Sequence, residues 1–536
     1  MGHQRGPDPR ASTRSPMPLR SPLLLYAETE PEHPPPPPHN PRRVLALSIA
    51  GSIASGSMGF LLACLLLRNR SESLLPATME PAFNPAPADV LYRPMPAHSG
   101  VGSAAAAHSP VPLRVNGLGG DEKPTLQQLL DNTEFIGKDI DARGFPVVHL
   151  PEGRERRACW GIAAPGRIAG DFAASVVGMG GRICAVGAGY LPRKAERAAA
   201  FAALFGANRS YGSYEALAAD EEVSMVYVAS VNCNHFALAK LFLEAGKHVL
   251  LEKPATIAAY QFDVLADLAA RNHLLLLTNY WTRFFPAVQW ARAIVDSGAL
   301  GSVVHMTGDM AFQAVRLADG SRDRFFNAGM GGGAMLDMGS YLIMYASAFL
   351  DATDPGGGND FDPRNWYTMQ HGHTDEQTGV DVESAFIISR VNGAHALLGT
   401  SLLRPSDFSV QVMGTHGIMH ISGPANSPLS AHYTVLEDAS VATTLPTPCC
   451  GMPETYSASF ERELPTYPPT LASSPRYPHA MGFVYVAAAF ERCVYRHGCV
   501  ELPELPMAEQ RLISRLTEAV LEGLDVYKTV GGGTGD

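Results

Sequence analysis

The sequence predicts an α/β chain whose folded part opens with a doubly wound parallel sheet, and three observations carry that prediction. Apolar segments of strand length alternate with helical segments from Cys159 onward. A glycine turn, Pro165-Gly166-Arg167-Ile168-Ala169, separates the first strand from the first helix. Further on, the stretch Glu244 to Pro254 (EAGKHVLLEKP) carries a short apolar run, Val249 to Leu251, that ends in a carboxylate, an amine and a proline. Chemistry in open α/β sheets gathers at the carboxyl ends of strands, so Glu252 and Lys253 are expected at a crevice. The competing reading is a surface Glu-Lys pair that closes a structural strand.

The chain's 536 residues leave room for about three domains. Hydrophobic residues make up 46% and charged residues 17%, enough apolar material for a large core. With a formal net charge of -11 and no Lys/Arg-rich run in the folded part, nucleic acid is not an expected partner. Eight cysteines show no metal-ligand spacing, so no metal is expected, and they read as reduced structural thiols more than as a disulfide framework.

Residues 1–43 are rich in Pro and Arg, with Pro34 to Pro38 unbroken, and read as a disordered tail. Val44 to Leu67 follows, 24 residues without a charge between Arg42-Arg43 and Arg68. That length spans a bilayer's hydrocarbon, which takes about 20 residues, so a single transmembrane anchor and a membrane location are expected. The flanking arginines balance and leave its orientation open. Residues 68–155 read as a flexible tether, with a short helix over Leu126 to Ile140.

Taken in order, Cys159 to Ala164 reads as a strand, and the turn at Gly166, Arg167 and Ile168 opens a helix through Phe172. Backbone N–H groups at such a helix start favour a pyrophosphate. The glycine fingerprint is altered, with Gly166 in the central place but Ala164 and Ala169 in the outer two. A second strand, Arg182 to Ala188, lacks a terminal acid for a ribose 2'-hydroxyl. Arg193 and Lys194 follow it instead, which favours a 2'-phosphate and therefore NADP, with NAD still possible. A helix from Arg197 to Phe205 leads to the strand Ser224 to Ala229. Ser230, Asn232 and His235 then stand at that strand's carboxyl end, where His235 either orients the next helix or meets the cofactor.

These residues carry a resemblance. The pattern WGIxxxGxI from Trp160, the EKP at Glu252, Trp281 to Pro286 (WTRFFP) and Gly331 to Tyr341 (GGGAMLDMGSY) together resemble the glucose-fructose oxidoreductase and inositol dehydrogenase superfamily. Within it the likeness is to the dimeric dihydrodiol dehydrogenases, also known as NADP-linked D-xylose 1-dehydrogenases. It covers about residues 156 to 528, including Gly414 to Gly417. The resemblance implies a Rossmann domain over 156–280, then an α+β domain over 281–528 with a large, mostly antiparallel sheet whose open face makes a homodimer; residues 529–536 read as a Gly-rich tail. Segments at Val303 to Met310, Val382 to Arg390, Ala394 to Ser401 and Ser409 to His420 alternate as strands of such a sheet would.

The resemblance also assigns a site. Lys253 matches the lysine of the family's EKP, and Tyr341 matches the tyrosine that closes the glycine motif. Oxidising an alcohol requires the hydroxyl proton to leave, and a phenol with a pKa of about 10 is a poor base at neutral pH unless an ammonium stabilises its anion. Tyr341 as base with Lys253 as its electrostatic partner is therefore coherent. Asp337, four residues before Tyr341, would face the same cleft and fix a substrate hydroxyl. Trp281 either lines the substrate pocket or packs in the core. Arg283 either meets a cofactor phosphate or pairs with an acid inside the fold, and Gly331 to Gly333 either approaches a ligand or makes a loop.

Departures from the family are Asn232, where the dihydrodiol enzymes place a histidine, the insertion around Asp351 to Gln377, the Pro-rich stretch Leu445 to Pro475, and the apolar span. The expected function is NADP-linked dehydrogenation of a sugar, cyclic polyol or dihydrodiol. Two alternatives stand beside it: a degenerate, membrane-tethered nucleotide- or sugar-binding protein, and a related NAD-dependent reductase or lyase.

Overall fold

The computed structural model describes residues 139–153, 157–189, 193–314, 324–350, 361–436, 454–468, 475–496 and 498–524. The expected tail, apolar span, most of the tether and the Gly-rich tail lie outside these residues. Among the described residues no helix is long and apolar enough to cross a membrane. Of the helix expected over Leu126 to Ile140 only the end is described, and there Ile140 makes an isolated bridge to Pro146 instead.

Six short strands form the first sheet: β1 (Cys159–Ala163), β2 (Arg182–Gly187), β3 (Arg209–Tyr211), β4 (Met225–Val228), β5 (His248–Leu251) and β6 (Leu276–Thr278). They pair in parallel in the order β3-β2-β1-β4-β5-β6, the doubly wound dinucleotide-binding arrangement. Helices α1 (Arg167–Gly178), α2 (Lys194–Phe205), α3 (Tyr214–Ala218), α4 (His235–Glu244) and α5 (Ala259–Arg271) supply the crossovers. Because helices cover both faces, the central strands β1 and β4 are fully buried and β5 is buried and apolar from Val249 to Leu251, which is why it reads as an unbroken run. The strand order reverses between β1 and β4, and that opens a crevice at their carboxyl ends.

The second sheet has eight strands. After α6 (Pro286–Asp296) come β7 (Val303–Ala311), α7 (Ser340–Leu350), β8 (Trp366–Thr374), β9 (Asp381–Arg390), β10 (His395–Ser401), β11 (Val410–Gly414), β12 (Gly417–Ile421), β13 (Ser430–Leu436) and β14 (Glu454–Glu461). Their order is β14-β13-β12-β11-β7-β10-β9-β8, antiparallel except for β7 with β10. Helices α6 and α7 pack on one face, and every residue of α7 is buried. The other face is open, with Tyr367 57%, Met369 68% and Leu397 44% exposed.

Three differences from expectation follow from long-range pairing. The strand expected over Ser409 to His420 is a hairpin, β11 turning at Thr415-His416 into β12. Two of the departures from the family pattern supply edge strands: β8 lies in the insertion around Asp351 to Gln377 and β14 in the stretch Leu445 to Pro475. The closing helices α8 (Phe483–Tyr495) and α9 (Met507–Gly523) return to the first sheet, α8 against α1 and α9 against α5 and α7. There Glu491 accepts from the Trp160 indole at 2.9 Å and from Arg157 at 2.7 Å.

The cysteine expectation is corrected. Cys159 is joined to Cys184 and Cys493 to Cys499, with Cα atoms 5.5 and 5.3 Å apart. Cys159 and Cys184 lie on neighbouring strands, where a register shift after Trp160 leaves Cys184 outside the ladder and beside Cys159. Residue spacing carries no sign of this. Among the described residues the one group close enough to hold a metal is Cys159, Cys184 and Glu222, and its two sulfurs are bonded to each other.

Candidate active site

The first half of the site stands at the strand ends. Gly166 starts α1 with extended backbone and no side-chain cap, and it is exposed. A Cβ placed there would have only the Ala164 carbonyl oxygen for a neighbour, at 4.0 Å. That open space before the N–H groups of Arg167 and Ile168 fits a pyrophosphate. Ala164 holds a left-handed φ of +67°, which explains why the fingerprint favours glycine at its place. Past the end of β2, Arg193 and Lys194 are exposed at the start of α2, suitably placed for a ribose phosphate.

Two residues expected to meet the cofactor brace the strand ends instead. The fully buried His235 ring lies 2.7 Å from the Pro254 carbonyl and 3.0 Å from the Ser230 carbonyl, tying the end of β4 to the end of β5. Glu252 is buried and accepts from the Tyr227 hydroxyl and from Asn279 at 2.6 Å. Asn232 donates to the Gly331 carbonyl at 2.7 Å, so the loop after β4 meets the glycine motif. Ser230 is half-buried, and its hydroxyl bonds the Val231 carbonyl.

The second half comes from a π-helical turn, Met335–Gly339, that runs into α7. Such turns recur at functional sites because they re-aim side chains. Here the turn brings Asp337 and Tyr341 to Lys253. The lysine ammonium donates to the Asp337 carbonyl at 2.6 Å and to its carboxylate at 3.2 Å, and it lies 5.0 Å from the centre of the Tyr341 ring. Arg324 reaches the same carboxylate at 2.9 Å. Burial pushes the Asp337 carboxyl up, but Arg324 and then Lys253 outweigh it and hold it down at about 2.

Tyr341 does not have the electrostatics expected of it. Burial pushes its phenol well above the usual 10, nearby Glu252 adds to the shift, and a hydrogen bond from the Trp281 indole at 3.1 Å offsets only part. Lys253 stands over the ring and donates to Asp337, not to the hydroxyl. In this geometry the phenol keeps its proton at neutral pH. Trp281 itself is buried, stacked on Phe483 with ring centres 4.1 Å apart, so it positions Tyr341 and does not line an open pocket.

Arg283 takes the interior alternative. Its guanidinium is buried, donates to the Glu504 carbonyl at 2.8 Å and pairs with Glu509 at 3.0 Å, while Ser347 of α7 donates to the same Glu509. It is therefore removed from the cofactor set. Sequence reasoning missed Arg324, whose only local signal is that it precedes the glycine motif.

A parallel sheet with an open helix start at its switch point, facing a lysine, a carboxylate and a phenol, defines a two-domain nicotinamide-dinucleotide oxidoreductase. Residues 166–280 match the oxidoreductase family with an NAD-binding Rossmann fold, and residues 288–420 match the GFO/IDH/MocA C-terminal domain. Both folded domains thus match models of the GFO/IDH/MocA oxidoreductase family. It is similar to the trans-1,2-dihydrobenzene-1,2-diol dehydrogenases of Xenopus laevis, 25% identical over 370 residues, and Homo sapiens, 26% identical over 370 residues. Each match covers 68% of this chain, and 98% and 97% of the relative. The fold is similar to a 3-ketoreductase from Actinomadura kijaniata in complex with NADP and TDP-benzene, with TM-score 0.53 and 21% identity over 69% of this chain and 98% of that one. It is also similar to a levoglucosan dehydrogenase in complex with NADH and levoglucosan, with TM-score 0.54 and 17% identity over 69% of this chain and 97% of that one.

Proposed function

We propose that this NAD(P)-dependent oxidoreductase interconverts CH–OH and C=O groups on a sugar, cyclic polyol or trans-dihydrodiol, with NADP preferred. The observation that carries the reading is the meeting of Lys253, Asp337 and Tyr341 at the carboxyl end of β5. The bound nicotinamide supplies or accepts the hydride. Asp337, ionised and held by Arg324, orients a substrate hydroxyl, and Tyr341 moves the proton at the reacting oxygen. Its raised pKa suits proton donation, hence carbonyl reduction at neutral pH. In the oxidative direction Lys253 must turn from Asp337 towards the phenol.

The test is turnover of D-xylose, myo-inositol and trans-1,2-dihydrobenzene-1,2-diol with NADP, followed by NADPH absorbance. Tyr341→Phe should lower kcat by about a hundredfold or more. Reduction should hold steady through neutral pH, where the phenol stays protonated, while oxidation should climb as pH rises towards the phenol's pKa. Cofactor binding with no turnover of any substrate would favour the degenerate binding protein.

Two further parts of the reading concern assembly. The open apolar face around Tyr367, Met369 and Leu397 supports a homodimer through the second sheet, testable by sedimentation. The uncharged run from Val44 to Leu67 supports a single-pass anchor. Full-length protein should then resist a carbonate wash that frees a chain starting near Val115.

A further inference from the structure

The glycine motif makes a close approach, and its partner is a side chain that no sequence pattern singled out. Asp381 opens β9 and is fully buried. One of its carboxylate oxygens accepts from the Met335 backbone N–H at 2.7 Å and from the Ser384 hydroxyl at 3.3 Å. Met335 begins the π-helical turn that carries Asp337 and leads to Tyr341. Gly333 has a φ of +112°, and a Cβ there would stand 2.2 Å from the other carboxylate oxygen. Glycine is required at this position so that the carboxylate can enter the helix start.

We propose that Asp381 is a positioning residue, whose ionised carboxylate caps the helix that presents Asp337 and Tyr341 and holds the turn in its productive setting. The proposal rests on the reading of Lys253, Asp337 and Tyr341 as the site. A carboxylate at a helix start interacts favourably with the N–H groups and the helix dipole. This one does so at a cost, because burial raises its pKa from 3.8 to about 6. With the folded value above the unfolded one, the folded state holds more protons between these values. Stability therefore falls as pH rises through that window and stays lower above it. An uncharged cap would serve the fold better at neutral pH, so a carboxylate there points to the site and away from the fold.

The groups around Asp381 do not obscure its titration. From the turn it meets the Met335 and Ala334 backbone, and from its own strand Ser384. Thr400 of β10 faces Ala334 at 3.4 Å. Glu383 is paired with Arg404 at 2.9 Å, and Asp337 titrates at about 2, below the window.

The test is NADPH-dependent reduction of cyclohexane-1,2-dione, a cyclic vicinal dicarbonyl, from about pH 5 to about pH 8. This direction needs Tyr341 protonated, so Tyr341 adds no acid limb of its own. Wild-type kcat should fall as pH drops through about 6. Asp381→Asn should be flat across the range, at a level about tenfold or more below the wild-type plateau. Its KM for NADPH should be unchanged, and its melting temperature at pH 8 should be no lower than wild type. An acid limb that persists in Asp381→Asn overturns the proposal, as does a kcat loss matched by a loss of melting temperature. In a double-mutant cycle, Gly333→Ala should cost less kcat in an Asp381→Ala background than in wild type, since the backbone strain cancels and the clash remains. Equal costs would count against the contact. If the dione is not turned over, fluorescence of Trp281, taken by difference against Trp281→Phe, follows the turn through its bond to Tyr341. A transition near pH 6 that vanishes in Asp381→Asn supports the proposal even where the dehydrogenase reading has failed, and its absence overturns the proposal.

Discussion

Lys253 and Tyr341 reach the same crevice by opposite routes. Lys253 leaves a parallel strand whose neighbours tie it down locally, through His235 between two strand ends and Glu252 beside Asn279. Tyr341 sits on a helix whose position is set from far along the chain, by Asp381 at its start, Trp281 at its hydroxyl, and Glu509 bonded to Ser347 on α7. The strand-end half is held by buried side chains bonded to partners no more than 27 residues away in sequence. The helix half is held by buried polar side chains from three other elements, and it should be the easier half to break.

The largest effect should come from Glu509→Leu. It leaves the Arg283 guanidinium buried without its carboxylate and frees Ser347, and a buried pair cut on one side costs about 3–5 kcal/mol. Glu252→Gln keeps an oxygen for Tyr227 and should cost far less, about 1 kcal/mol. Denaturant midpoints of the two variants measure the asymmetry directly, and equal losses would erase it.

Lys253→Met comes next. It should lower kcat by about a hundredfold while leaving stability within about 1 kcal/mol, because Arg324 still holds Asp337. A fall in stability larger than the fall in kcat would mean that the lysine serves the fold. Arg193→Ala should weaken NADPH about tenfold, roughly 1.4 kcal/mol, and leave NADH unchanged, read by fluorescence titration. Equal losses for both cofactors would remove Arg193 from the ribose. The smallest effect is a gain: Ala164→Gly relieves a left-handed alanine and should raise stability by about 1 kcal/mol without altering cofactor affinity.

The same asymmetry decides what was legible in the sequence. Parallel strands, their turns and the strand-end Lys253 are written in contiguous residues, so apolar runs and punctuation disclosed them. Asp337 and Tyr341 were legible because they share one short motif. Arg324, Asp381 and the partners of Arg283 were not, since each interaction joins residues far apart in sequence and leaves no periodicity. The edge strands β8 and β14 were hidden for a related reason: strands at the rim of a half-exposed sheet alternate with polar residues and merge with the loops around them. For Trp281 and His235 the residue type was informative, but burial alone told a brace from a contact.

The return of α8 to the first sheet has a consequence for how this chain is made. Trp160 emerges from the ribosome 331 residues ahead of Glu491, the side chain that receives its indole N–H. At a synthesis rate of about 5–20 residues per second, that interval lasts roughly 15 to 65 seconds. During it Trp160 of β1 and Phe172 of α1 lack the cover that Phe490 and Phe483 of α8 will give them. Vectorial synthesis therefore cannot finish the nucleotide-binding domain first and add the rest later. The domain made first is sealed by residues made almost last.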